Sequence, residues 1–158
     1  MPGFFRSDPF LDPRLGTLTR HRGRWMGACP LPPHGTVDLR IAGGRKAPDA
    51  AALALAASLP DEYARLEAQV AAALFEHYEP GREAWQSGAM AGMIESYPEI
   101  PRAEDVWAHV HSVLVDIDPS RRAFPVEVRL NVTWDEEHTL GVRLKDGRLV
   151  ELCGSTGP

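Results

Sequence analysis

The sequence predicts an α+β domain: an antiparallel sheet of about six or seven strands, with two main helices inserted between an N-terminal three-strand unit and a C-terminal β-meander. Three observations lead there. Apolar residues occupy every even position from Phe124 to Trp134, the period of a half-buried strand. Leu59, Tyr63, Leu66, Val70, Leu74 and Tyr78 recur at helical spacing along one stripe. The 158 residues, 44% hydrophobic and 25% charged, suit one folded domain whose core needs no disulfide or metal to hold it.

Residues 1–13, punctuated by Pro9 and Pro13, read as an extended arm. Residues 14–42 carry three strands: a hairpin within Gly16 to Ala28 around Arg22-Gly23, then Val37, Leu39 and Ile41 alternating with Asp38 and Arg40 until Gly43-Gly44 stops the run. The helices span 48–79. Pro48 and Asp49 open an Ala-rich first helix that ends near Leu59. Ser58 and Asp61 form a capping-box pattern, with Pro60 at an early helical position, and this predicts a second helix ending at Pro80-Gly81.

Across 81–101 the periodicity fades, yet Trp85, Met90, Met93, Ile94, Tyr97 and Ile100 are too apolar for a disordered linker. The segment reads either as a packed irregular stretch with a short helix near Arg82 to Ala91, or as a lid or partner surface. Residues 102–154 hold a short helix opened by Glu104 and Asp105, a strand from about Ser112 to Ile117, and the meander. Leu140, Val142, Leu144, Val150 and Leu152 keep the even parity of Val126 to Trp134. Antiparallel partners share a face, so constant parity asks for odd-length connections: Asp135 to Glu137 or Asp135 to Thr139 first, then Lys145 to Gly147 with Gly147 left-handed, pairing Val142 with Val150.

A formal charge of −5 with no dense Lys/Arg run argues against a nucleic-acid partner. The longest apolar run, Ala50 to Ala57, is too short to cross a bilayer, and the opening residues carry no export pattern. Cys29 and Cys153 form no disulfide framework, so the expected compartment is a reducing cytoplasm. No nucleophile turn, phosphate loop or dinucleotide fingerprint is present, and no cofactor is expected.

Trp134-Asp135-Glu136-Glu137-His138, followed by Leu140-Gly141-Val142 and Asp146-Gly147, resembles the C-terminal signature of a family of small uncharacterised bacterial proteins, a domain of unknown function. The resemblance covers about Phe124 to Gly154; Asp12-Pro13, Leu15-Gly16 and Trp25 look like the opening of related domains. In that family Gly usually follows the His, where this chain has Thr139. The resemblance implies no activity, but it makes the acidic turn the place to look.

Trp134, Asp135, Glu136, Glu137 and His138 are therefore the candidate binding residues. The leading expectation is a non-catalytic protein-binding module, immunity-type or regulatory, whose acidic surface meets a protein partner. The turn also reads as plain architecture: Asp135 accepts turn amides, Glu136 and Glu137 are solvated, and His138 packs on Trp134 with one nitrogen bonded to backbone. The competing expectation is a metal-dependent hydrolase built on His109, His111, His138 and the acidic turn 135–137, since imidazole and carboxylate ligate divalent ions. His77, placed at the end of the second helix, reads as a dipole-complementing cation. The oligomeric state is not set by the sequence.

Overall fold

The fold is taken from a computed structural model that describes residues 6–157; the first five residues of the expected arm lie outside it. The strands Phe10–Asp12 (β1), Gly16–His21 (β2), Arg24–Pro30 (β3), Thr36–Ile41 (β4), Val110–Ile117 (β5), Val126–Val132 (β6), Asp135–Lys145 (β7) and Arg148–Cys153 (β8) form one sheet in sequence order. Every neighbouring pair is antiparallel except β4–β5, which is parallel. The crossover between β4 and β5 carries an α-helix, Ala50–Gln86 (α1), and a 3-10 helix, Ala103–His109.

The α+β architecture is as expected, but among the described residues the sheet has eight strands rather than six or seven, besides an isolated Gly43–Pro48 bridge. The extra strand is β1, inside the expected arm. The Asp12 carboxylate accepts the amides of Arg14 and Leu15, which turns the chain back so that Phe10 pairs with Leu18.

The two helices expected over 48–79 are one continuous helix with Pro60 and Pro80 inside it, and the second helical element is the 3-10 turn. Asp49 caps it, accepting from the Ala52 amide at 3.0 Å. Ser58 is no cap, because its hydroxyl bonds back to the Leu55 carbonyl. An interior proline costs about 3 kcal/mol. Ala52, Ala56, Leu59, Tyr63, Val70, Leu74 and Tyr78 are all fully buried on one face that runs through Pro60 without changing phase. A Leu or Tyr side chain taken from water contributes about 1.5–3 kcal/mol, so keeping both halves on the sheet outweighs the break. Gly81 likewise ends nothing: a Cβ there would collide with the Tyr97 ring, so the glycine lets Tyr97 lie against the helix.

The core lies between α1 and one sheet face. Row by row across the strands, Leu39, Val115, Val128, Val142 and Leu152 oppose one another, as do Ile41, Ile117, Val126 and Leu144. The other face is less exposed than alternation implies. Arg40, Asp116, Glu127, Arg143 and Glu151 form a directly opposed row across five strands, and Asp116 and Glu127 are only 1% and 2% exposed. Arg40, Arg121 and Arg129 converge on Asp116, while Arg129 and Arg143 each reach Glu127 at 2.8 Å. Phe124, expected in the strand, lies before it with its ring 4.1 Å beneath the Arg143 guanidinium.

The second hairpin corrects the expected register. Lys145 pairs with Arg148, so the loop is the two-residue Asp146-Gly147, and both have positive φ, 52° and 69°. The pairing then shifts between Leu144↔Leu149 and Arg143↔Glu151. Val150 is the extra residue of a bulge and is 50% exposed, and Val142 pairs with Leu152 instead. A bulge thus does what an odd-length loop was expected to do. Gly147→Val should destabilise by about 1–2 kcal/mol through backbone strain, whereas Asp146→Gly should be near neutral. Urea denaturation of the two variants checks this; equal costs would rule out the turn.

Candidate functional site

The acidic turn sits at the start of β7. Val132 pairs with Asp135, so the tight connection is Thr133-Trp134 rather than Asp135 to Glu137 or Asp135 to Thr139. The register then shifts before Leu130 meets Leu140, and Glu136 to His138 belong to an irregular strand start. Trp134 is 8% exposed, while Glu136, Glu137 and His138 face solvent.

The aromatic that anchors Trp134 is Tyr78 of α1, whose ring meets it edge-on at 5.7 Å. Tyr78 also fastens the segment after the helix. Its hydroxyl donates to the Pro98 carbonyl at 2.8 Å and accepts from the Ile100 amide at 2.9 Å. Its ring stacks on Tyr97, and the Tyr97 hydroxyl donates to the Tyr78 carbonyl. Tyr97 and Pro98 are thereby held beside the acidic turn, and residues 90–98 with 133–137 line a groove of about 940 Å³. Met90, Met93 and Ile94 supply an apolar wall, with Met93 76% exposed. Asp135, Glu136 and Glu137 line the groove too, as does Glu95, and among the described residues no Lys or Arg lines it. Glu95, Glu136 and Glu137 form no ion pair among the described residues.

His138 does not pack on Trp134 as expected. Its Nδ1 lies 2.9 Å from the Asp135 carboxylate and its side chain is 47% exposed. The imidazole that meets Trp134 is His77, which accepts the indole N–H at Nδ1, 3.0 Å away. An indole nitrogen only donates, so His77 Nδ1 carries the lone pair and the proton sits on Nε2, facing Asp135 at 3.8 Å. Burial pushes the His77 pKa down, Asp135 pulls it up, His138 pushes it down, and the net position is below 6.5. His77 is thus a neutral acceptor inside the helix, not the terminal cation expected; its contribution to stability is present above pH 6.5 and lost as pH falls below that value.

Loss of that acceptor leaves a buried indole N–H unpaired. His77→Ala should therefore cost about 1–3 kcal/mol and His138→Ala about 0–1 kcal/mol, measured by urea denaturation at pH 7.5. A larger cost at His138 would place the architectural role there instead.

The expected metal candidates are spoken for separately. His109 Nδ1 lies 2.9 Å from the Thr133 hydroxyl, His138 is paired with Asp135, and His111 borders a different hollow beside His34 and Trp107. Among the described residues no three His, Cys, Asp or Glu side chains gather into a group able to hold a metal ion. Nor is any helix among them long and apolar enough to cross a membrane. The segment 81–101 had carried a signal in its Met and aromatic content, while His77 carried none that sequence reasoning could separate from an ordinary helical histidine.

Residues 15–157 match the family described as a domain of unknown function, DUF6985. No curated protein and no solved structure gives a significant match.

Proposed function

The chain belongs to that family of unknown function, and from this premise we propose that it is a bacterial cytoplasmic, non-catalytic protein-binding module, immunity-type or regulatory, which engages its partner through the groove at the acidic turn. One observation carries the reading. Two stretches remote in sequence, 90–98 and 133–137, line a single groove that combines the exposed Met93 and the half-buried Met90 and Ile94 with the carboxylates of Glu95, Glu136 and Glu137, which form no ion pair among the described residues. Exposed apolar surface rimmed by polar groups is the mark of an interaction site. Trp134, Asp135, Glu136 and Glu137 line it, and His138 acts behind them by holding Asp135.

The test is capture of a partner from the native host's lysate by the wild type, by Met93→Glu and by Val150→Glu. Val150 is an exposed apolar side chain that does not line the groove. Loss of the same captured protein with Met93→Glu, and its retention with Val150→Glu, supports the reading; capture indifferent to Met93 defeats it.

A further inference from the structure

Resting on that reading, we propose that the groove takes a basic amphipathic segment of the partner protein, its apolar side chains seated on Met90, Met93 and Ile94 and its Lys or Arg side chains on Glu95, Glu136 and Glu137. The charge argument is local and one-sided. Four of the groove-lining residues are acidic, none is Lys or Arg, and three of the four carboxylates have no cationic partner among the described residues. A cationic occupant meets these carboxylates with complementary charge, which an acidic or neutral one does not. Asp135 differs from the others, because His138 and His77 already face it. It shapes the turn and leaves recognition to its neighbours.

The apolar wall sets the second half of the chemistry. Methionine is unbranched and adapts to the shape of what it meets, so a wall of Met90 and Met93 with Ile94 suits apolar side chains without demanding one of them. A purely ionic partner, such as a polyanion-binding tail of lysines alone, would leave Met93 in water. A purely apolar one would leave the carboxylates to be desolvated without compensation. An amphipathic basic segment satisfies both walls at once.

The test is selection of displayed random twelve-residue peptides on the wild-type chain, with counter-selection on a Met93→Asp/Glu136→Lys/Glu137→Lys variant whose folding is verified by circular dichroism. The expected result is enrichment of peptides that combine net positive charge with two or more apolar side chains. For a synthetic peptide of that kind, affinity should fall about tenfold with Glu136→Lys/Glu137→Lys and should weaken as salt rises. Enriched peptides of neutral or acidic composition that still require Met93 would overturn this inference and leave the binding groove standing. No enrichment over counter-selection would also overturn it, and the capture experiment, which uses whole partner proteins, then decides the broader reading separately.

Discussion

Val128→Asp is expected to abolish soluble expression. Val128 is fully buried, opposed by Val115 on one side and Val142 on the other, on the face that α1 covers. The substitution forfeits about 1.5–3 kcal/mol of apolar burial and leaves a carboxylate with no donor, at a further cost of several kcal/mol. That sum rivals the whole stability of a typical domain, about 5–15 kcal/mol. Glu136→Gln, on the solvated turn, should express and melt like the wild type. A soluble Val128→Asp variant with native circular dichroism would mean that the helix does not cover this face.

Arg129→Asp, one residue along and on the opposite face, should be nearly as damaging, by about 3–5 kcal/mol. Alternation alone makes position 129 a tolerant surface site. The Arg129 guanidinium, however, reaches Glu127 at 2.8 Å and Asp116 at 3.6 Å, so an aspartate there sets a third carboxylate beside two that are already buried. The pH dependence separates this account from ordinary misfolding. In the wild type, burial raises the Asp116 carboxyl, but the hydrogen bond from Arg40 and the charges of Arg121, Arg40 and Arg24 outweigh it, and its pKa lies below 3.8. The contribution of Asp116 is therefore intact above that value and is lost as pH falls below it. In the variant a carboxylate replaces a cation beside Asp116, which raises the Asp116 pKa, and protonation relieves the fold. The stability gap between variant and wild type should narrow from pH 7 to pH 5 in urea titrations; a constant gap would put the cause elsewhere.

What could be read from the sequence follows from how local each signal is. Period-two alternation over Val126 to Val132 and Val37 to Ile41 placed these strands and their inner faces, because burial on one side of a sheet repeats along the chain. The stripe through Leu59, Tyr63 and Tyr78 placed the helix and its buried face. Its continuity did not show, since Ser58, Pro60 and Asp61 spell a helix start and only the tertiary phase of Ala56 and Leu59 overrides them. Parity also treats a charged residue as solvated. It had no means of showing that long arginine side chains from β4, β6, β7 and the loop before β6 would roof over Asp116 and Glu127. The acidic turn was legible as a cluster, and the 81–101 segment as unusually apolar. Their meeting was not, because it depends on the Tyr78 hydroxyl, which clasps Pro98 from 20 residues away.

The strictly sequential strand order bears on how the chain finds this fold. Six of the seven strand pairings join consecutive segments through short turns, and only β4–β5 spans the crossover, with Arg40 and Asp116 separated by 76 residues. Closing a loop that long costs about 2 kcal/mol more in chain entropy than closing one of eight or so residues. The two four-stranded halves can therefore zip up early from their hairpins, while the parallel seam waits for α1 to form and deliver β5 beside β4. Stopped-flow refolding should accordingly show the seam, and the burial of Leu39 against Val115 within it, as the slow step that sets the folding rate.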